Sequence, residues 1–285
     1  MSSPVSHLRS TRDRRALFAA LGVVLLAAVL AYATGACRPD DPRLRRPTAE
    51  QNASSSSLAS TTVPPTDDAS PPSSAGGTPS VPDGPTTVAQ ARADLPGVDV
   101  FDAPGATTPT TTVENPGEYG NPQVFVVVEP VRDGFVHVLL PIKPNGSHGW
   151  IRETDVTLAQ HEYRIDVSLS GFQMKVRNGD ETVLEAPIGV GTSDTPTPAN
   201  TYYTWVLLAP TNSGYGQYAY GLSGFSDVLD EFAGGDARLG IHGTDDESSI
   251  GRNVSHGCIR ITDSTVIKMV EELQLPLGVP VTVTA

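Results

Sequence analysis

The residues of this sequence best suited to covalent chemistry lie in one short stretch, residues 240–262. The stretch reads GIHGTDDESSIGRNVSHGCIRIT and contains two of the six histidines and one of the two cysteines. A cysteine nucleophile needs a base that accepts its proton and hydrogen-bond donors for the oxyanion that its attack creates. Cys258 is the candidate nucleophile, and His242 and His256 are both candidate bases.

Two other interpretations of Cys258 are open. An isolated cysteine is usually a small buried apolar residue, but here one histidine lies two residues before the cysteine and another lies sixteen residues before it. A zinc site of His242, His256 and Cys258 would lack a fourth ligand at a usual spacing, and the chain has no Cys-x-x-Cys. We therefore favour a cysteine nucleophile, and we expect neither a metal nor a cofactor.

The order of residues around Cys258 resembles a family signature. A His-Gly pair, a polar loop with Ser-x-Gly and the hexapeptide SHGCIR are similar to the signature of the bacterial L,D-transpeptidases, whose catalytic domain is of the YkuD type. The resemblance implies that Cys258 is the nucleophile and His242 its base. It also implies substrate-binding or oxyanion roles for five neighbours: Gly243, Ser255, His256, Gly257 and Arg260.

Spacing alone does not separate the two histidines. If the segment is extended, the side chains of His256 and Cys258 point to the same face, and adjacency would make His256 the base. The resemblance favours His242, with the carbonyl of Gly243 as its expected partner, and leaves His256 to line the cleft or assist the oxyanion. Backbone N–H groups near Gly257 and Cys258 are the expected oxyanion donors. Arg260 is expected to bind a carboxylate of the substrate or to form a structural ion pair.

The resemblance implies an activity on the bacterial cell wall. Members of the family attack the carbonyl of the third residue of a peptidoglycan tetrapeptide stem and expel the terminal D-alanine. They then pass the acyl group to an amine of a neighbouring stem, which gives a 3→3 cross-link, and carbapenem β-lactams are expected to acylate the same cysteine. Two alternatives are an L,D-carboxypeptidase with the same Cys/His site and a non-catalytic wall-binding protein.

Composition limits the partners and the organisation. The net charge of −13 argues against nucleic acid as a partner. A chain of 285 residues is long enough for two domains, and its 25 prolines and 27 glycines indicate that part of it is not packed core.

Residues 1–37 have the pattern of a membrane anchor or lipoprotein signal. Four arginines between residues 9 and 15 precede 21 apolar or small residues from Ala16 to Ala36. At about 1.5 Å per residue this run spans about 30 Å, the thickness of a bilayer core. The basic flank should stay in the cytoplasm, which predicts a catalytic domain held outside it, in the cell envelope. Cys37 is either lipidated or part of an uncleaved anchor, and we favour the anchor.

Three further segments follow. Residues 38–95 are rich in Ser, Thr and Pro and are predicted to be a disordered linker. Residues 96–158 contain a predicted hairpin over Asp133-Gly134 and resemble a small SH3-like β module. This segment also contains a second Ser-His-Gly sequence, Ser147-His148-Gly149, which is followed by Trp150 and not by a cysteine. We interpret it as a turn.

Residues 161–285 are predicted to form the catalytic domain, a mainly β fold of the YkuD-like β-sandwich type with one clear helix. The helix is expected over residues 264–274, with Thr262 or Asp263 as its N-cap. In the family a glycine usually stands where this chain has Asn200, and we expect Asn200 to adopt a positive φ there.

Overall fold

The computed structural model describes residues 79–232 and 234–285. The predicted membrane anchor, residues 1–37, and residues 38–78 of the predicted linker lie outside the described residues. No helix in the described part is both long enough and apolar enough to cross a membrane.

Seven strands form an N-terminal module, residues 86–161. Five of them make an antiparallel sheet in the order β6-β5-β4-β1-β7, and β2 and β3 form a separate ribbon. A bridge between Phe101, just after β2, and Trp150 in β6 joins the ribbon to the sheet edge, so that the sheet curls around its apolar side chains. In chain order the strands are β1 (Thr86–Ala91), β2 (Gly97–Val100), β3 (Thr111–Glu114), β4 (Val124–Arg132), β5 (Phe135–Leu139), β6 (His148–Arg152) and β7 (Val156–His161).

The hairpin predicted in this module is confirmed. Strands β4 and β5 pair across the two-residue turn Asp133-Gly134, and Arg132 lies opposite Phe135. Both turn residues have positive φ, 52° and 76°, as a tight hairpin turn of this kind requires. Local turn chemistry was therefore sufficient to place these two strands.

Two details of the sequence interpretation are wrong. Strand β1 lies inside the segment predicted to be disordered up to residue 95, and it is ordered because it pairs with both β4 and β7. The second Ser-His-Gly sequence, which begins at Ser147, is not a simple turn, since His148–Arg152 is strand β6. The first error concerns pairing with strands that are distant in sequence, whereas β6 pairs with β5, its neighbour in the chain.

The C-terminal region begins with β8 and contains a second, larger sheet. Its eight strands are ordered β10-β9-β8-β17-β12-β13-β14-β16, with parallel pairs β8/β17 and β14/β16. Strands β11 and β15 pair with each other in a separate two-stranded parallel sheet. In chain order the strands of this region are β8 (Tyr163–Ser168), β9 (Gln173–Asn178), β10 (Glu181–Pro187), β11 (Val190–Gly191), β12 (Thr201–Leu208), β13 (Ala219–Phe225), β14 (Arg238–His242), β15 (Asn253–Ser255), β16 (Ile259–Arg260) and β17 (Pro280–Thr284).

The large sheet bends at β12, where the pairing with β13 shifts register between Thr204 and Val206. Side chains from both halves of the sheet meet in one core, for example Ile165 of β8 and Ile241 of β14. Helix α1 (Asp263–Ile267) and the π-helical turn Lys268–Glu272 that continues it add Val266 and Met269 to this core. The prediction of a mainly β fold with a helix near the C-terminus is confirmed.

The cap of α1 is also confirmed, since the side chain of Thr262 accepts a hydrogen bond from the backbone N–H of Thr265 at 3.3 Å. The expectation for Asn200 is wrong, because Asn200 is not among the described non-glycine residues with positive φ. Instead, its carbonyl accepts from Val283 N–H and its side-chain oxygen from Thr201 N–H. These bonds hold the chain at this point, so a left-handed residue is not required.

The N-terminal module packs directly on the large sheet. Apolar side chains of β1, β4 and β5 form one cluster with Tyr203, Trp205 and Val206 of β12. Two side-chain amides add polar contacts: Gln123 accepts from the indole N–H of Trp205 at 2.7 Å, and Asn145 bonds both backbone groups of Phe225 at 2.8 Å. The module therefore has a defined orientation on strands β12 and β13.

Candidate active site

Strand β14 carries His242 at its carboxyl end. The strand is fixed on both sides, because His242 lies opposite Ala219 of β13 and opposite Arg260 of β16. The side chain is buried, with an exposed fraction of 4%, and Tyr215 lies beside it with ring centroids 4.8 Å apart. The loop that bears Tyr215 approaches closely because Gly216 and Gly243 face each other, and a Cβ on Gly243 would lie 3.1 Å from the Cα of Gly216.

The orientation of His242 fixes which ring nitrogen can act as a base. Its Nδ1 lies 2.6 Å from the carbonyl oxygen of Gly243, which can only accept, so Nδ1 carries a proton and donates it. Burial lowers the pKa of His242 to about 4, against a smaller opposing effect of the Gly243 hydrogen bond; the nearby Arg260 charge lowers the pKa further. The imidazole is therefore neutral at pH 7, with the lone pair on Nε2.

The loop that presents Cys258 is held by hydroxyl groups. Ser255 donates to the carbonyl of Cys258 at 2.6 Å and accepts from Gly257 N–H at 3.2 Å, so its side chain spans the loop. Thr197 donates to the carbonyl of Gly257 at 2.8 Å, and Thr195 donates to that of Ser255 at 3.1 Å. Cys258 thus lies at the end of a short loop with both flanks hydrogen-bonded.

Gly257 turns the chain just before Cys258. Its φ is 118°, in the region that L-residues rarely adopt, and a Cβ there would lie 3.1 Å from the side chain of Leu239. The segment from His256 to Cys258 is therefore bent rather than extended. Adjacency favoured His256 as the base only if this segment were extended, and the segment is not extended.

Cys258 and His242 border the same cleft, which has a volume of about 550 Å³. The sulfur contacts the backbone of Gly240 on β14. Burial raises the pKa of Cys258, whereas the hydrogen bond from Gly240 and then the charge of Arg260 oppose the rise. Among the hydrogen bonds of the described residues there is none between thiol and imidazole, so the resting pair is a neutral thiol and a neutral imidazole.

Arg260 supplies a positive charge near both groups, and the same charge contributes to the lowered pKa of Asp246. No carboxylate of the described residues lies within ion-pair distance of its guanidinium, and its Nε is buried without a hydrogen-bond partner. The same charge lowers the pKa values of His242 and Cys258, which favours a neutral base and a stabilised thiolate. The structure therefore shows no structural ion pair for Arg260.

One segment of the chain is similar to a known family. Residues 162–283 match the sequence family described as YkuD, L,D-transpeptidase catalytic domain. These residues are similar to that family and make up less than half of the chain. The segment includes all of the residues described above at the site, from Thr195 to Arg260.

Two curated relatives share this segment of the chain. "Putative L,D-transpeptidase YkuD" of Bacillus licheniformis is 35% identical over 123 residues, which are 43% of this chain and 66% of the relative. The protein of the same name from Bacillus subtilis is 31% identical over 123 residues, 42% of this chain and 65% of that protein. The chain thus spans slightly less than two thirds of these relatives. Among solved structures, the Enterococcus faecium L,D-transpeptidase domain acylated by ertapenem is 25% identical with a TM-score of 0.33, covering 44% of this chain and 98% of that one.

The structure does not place every predicted residue of the YkuD domain at the cleft. His256 is exposed and stacks on Phe232 at 4.9 Å between ring centroids, and it does not line the cleft. The N–H of Gly243 donates to the carbonyl of Tyr218, and that of Gly257 to Ser255. Neither glycine N–H is therefore free for an oxyanion here, and Gly243 serves the site through its carbonyl instead.

Three residues of the site were not assigned a role from the sequence. Thr195 and Thr197 belong to the Thr-Pro-Thr-Pro segment, and their hydroxyl groups hold the Cys258 loop from 60 residues away. Tyr215 heads a Gly- and Tyr-rich segment without clear periodicity, yet its ring lies beside His242. The alternation of threonine and proline in this segment can be recognised in the sequence. That the threonine hydroxyls bind the Cys258 loop could not be known without the fold.

Burial of His242 predicts a loss of stability in acid. The folded-state pKa is about 4 against an ordinary value of 6.5, so the unfolded chain binds a proton first as pH falls below about 6.5. The stabilisation is complete above that pH, and about 3 kcal/mol is lost by about pH 4. In urea unfolding, the chain should lose about that much more free energy between these pH values than the His242→Gln variant. Equal losses in both chains would contradict a buried neutral histidine.

Proposed function

We propose that this chain is an L,D-transpeptidase that forms 3→3 cross-links between peptidoglycan stems through an acyl-enzyme on Cys258. The observation that carries the proposal is the shared cleft: the only described cysteine and a buried histidine with its Nδ1 proton engaged both border it. The match of residues 162–283 to the YkuD family supports the choice of substrate.

The neutral pair determines the order of events in acylation. Cys258 attacks the carbonyl of the third stem residue while its proton passes to Nε2 of His242, so charge develops only as the S–C bond forms. The C–N bond to the terminal D-alanine then breaks, and the imidazolium returns the proton to the leaving amine. The Nδ1 hydrogen bond to Gly243 holds the ring in the required tautomer throughout.

The second half of the reaction reverses these roles. The side-chain amine of a neighbouring stem attacks the thioester carbonyl, its proton passes to Nε2 of His242, and the S–C bond breaks. The proton then returns to the sulfur. No metal or redox partner is needed for the balance, because the thioester stores the acyl group between the two steps.

Two groups are suited to the charges that form. The N–H of Cys258 has no backbone acceptor among the described residues, so it is available to donate to the tetrahedral oxyanion. Arg260 does not itself line the cleft, but its charge acts on both His242 and Cys258 and no carboxylate of the described residues forms an ion pair with it, so its guanidinium suits a carboxylate of the stem. We assign these two groups to the oxyanion and to substrate binding, respectively.

A carbapenem presents a strained carbonyl with the same demand for a nucleophile. We propose that it acylates Cys258 and that the β-lactam nitrogen takes the proton from His242.

We also propose that residues 1–37 anchor the chain in the membrane with the YkuD domain in the cell envelope, on the basis of the arginine-flanked apolar run.

The proposal is tested by incubating the full-length chain with a purified tetrapeptide stem and measuring the masses of the products by mass spectrometry. A dimer with the mass of two stems minus one D-alanine is the expected product. Shortened stems without dimer would show a carboxypeptidase, since water and not an amine accepts the acyl group. Unchanged stems would show a wall-binding protein without catalysis and would overturn the proposal.

A further inference from the structure

The cleft of the YkuD domain is not walled by that domain alone. Tyr119, on the loop between β3 and β4 of the N-terminal module, lines the same cleft as Cys258 and His242. Its ring packs edge-on against Trp205 of β12, with centroids 6.1 Å apart and planes at 70°. The residue is nevertheless 44% exposed, so much of the ring faces the open cleft.

The loop that carries Tyr119 is closed by its own hydrogen bonds. The side chain of Asn115 donates to the carbonyl of Leu95 at 2.7 Å and accepts from Gln123 N–H at 2.9 Å, which joins the two ends of the loop. At the tip, Gly117 N–H donates to Asn121 and Gly120 N–H to Gly117, both at 2.8 Å. The ring is thus presented on a rigid support, which reduces the entropy cost of binding to it.

The loop fits tightly on the catalytic domain. A Cβ on Gly117 would lie 3.2 Å from the ring of Trp205, so the backbone approaches the indole as closely as glycine allows. The guanidinium of Arg238 covers Trp205 at 4.1 Å from the ring centroid. Arg238 begins strand β14, which ends at His242. Tyr119 is therefore fixed relative to the catalytic strand.

Exposed aromatic surface in the cleft indicates a ligand contact. Of the exposed large apolar residues in the described part of the chain, only Tyr119 and Phe232 line the cleft. A rigid tyrosine with one edge supported and one face open supplies apolar contact area at low entropic cost, and residues of this kind dominate binding energies. Packing within the module does not account for this ring, because the module's own apolar cluster does not include it.

We propose that Tyr119 is a substrate-binding residue and that the N-terminal module completes the cleft for the peptide stem. This inference rests on the proposed function, because the peptidoglycan stem is the ligand. The aliphatic part of the stem packs against the open face of the ring, while its reacting carbonyl lies at Cys258. The module then contributes to stem affinity, in addition to its packing on β12.

Binding is measured directly in the full-length chain with Cys258→Ala, where the stem is not consumed. In an NMR titration with the tetrapeptide stem, adding Tyr119→Ala is expected to raise the Kd about tenfold, a typical cost for truncating an aromatic contact. Tyr119→Phe keeps the ring and should restore most of the affinity. Val131→Ala is the matched control, since Val131 is 43% exposed on β4 of the same module but does not line the cleft.

A second measurement separates binding from structure. In the chain with Cys258 intact, Tyr119→Ala should raise the KM for the stem without slowing alkylation of Cys258 by iodoacetamide, which is too small to reach the ring. Equal Kd values for Tyr119→Ala and its parent overturn the inference, and so does a matching loss of alkylation rate. If the stem binds through Tyr119 but no dimer forms, the proposed transfer fails and the binding role stands. If the parent does not bind the stem, both fail.

Discussion

Replacing Cys258 with alanine is expected to abolish acyl transfer while the chain stays folded. Loss of a covalent nucleophile typically removes three or more orders of magnitude in rate, so dimer formation should fall at least about 1000-fold. The fold should survive because Ser255 holds the loop through the backbone carbonyl of residue 258, which alanine retains. Dimer mass and the unfolding midpoint are the two measurements.

The matched control is Cys37→Ala, which removes the other cysteine of the chain. It should leave dimer formation unchanged, because Cys37 lies 221 positions before the nucleophile, outside the matched family segment. Turnover that persists in Cys258→Ala would contradict the cysteine mechanism. Loss of turnover in Cys37→Ala would show that the assignment of the chemistry to Cys258 is wrong.

Replacing His242 with glutamine is expected to slow acylation of Cys258 by the stem about 1000-fold, within the range that general base catalysis contributes. His256→Gln should change the rate less than about threefold, because His256 is exposed beside Phe232 and does not border the cleft. Both variants carry the same substitution, histidine to glutamine, at different positions, so each controls for the other. Single-turnover acylation, read by intact mass against time, measures both rates.

The reverse order of effects would contradict this assignment. If His256→Gln abolished acylation and His242→Gln did not, the bent loop at Gly257 would have to straighten in the complex. Alkylation of the free enzyme adds an independent check. Burial raises the pKa of Cys258 and lowers that of His242, so the alkylation rate should rise steadily with pH and show no thiolate plateau in acid.

The neutral pair is a consequence of where the two residues lie. In a thiolate–imidazolium pair the histidine pKa would be raised, whereas here burial acts on both groups in the direction of the uncharged forms. Arg260 opposes this for the sulfur and reinforces it for the imidazole. In the proposed mechanism, negative charge on Cys258 therefore develops during the attack, when the substrate brings its carbonyl into the cleft.

Features encoded within a few residues could be predicted from the sequence. The Asp133-Gly134 turn, the Thr262 cap and the hexapeptide around Cys258 each carry their own local signal, and the fold class follows from short alternating strands. The carbonyl of Gly243 as the partner of His242 also follows from adjacency, and the structure shows that bond at 2.6 Å.

Features that depend on distant segments could not be predicted. The bend at Gly257 that turns His256 away from the cleft, and the threonine hydroxyls that hold the loop, result from packing against Leu239 and the segment around Pro196. The π-helical turn after α1 buries Met269, whereas the sequence pattern predicted one regular helix over residues 264–274. The place of Tyr119 in the cleft depends on how two domains pack, which no local pattern encodes.

The central claim is that the stem is carried as an acyl group on Cys258, and the most direct measurement of it is the intact mass of the full-length chain during turnover. Rapid acid quenching of the chain with excess tetrapeptide stem should show an added mass of one stem minus D-alanine. Peptide mapping should locate this mass on the segment that contains Cys258, and Cys258→Ala should carry none. Products that accumulate with no such adduct, or an adduct that maps to another residue, would contradict the account.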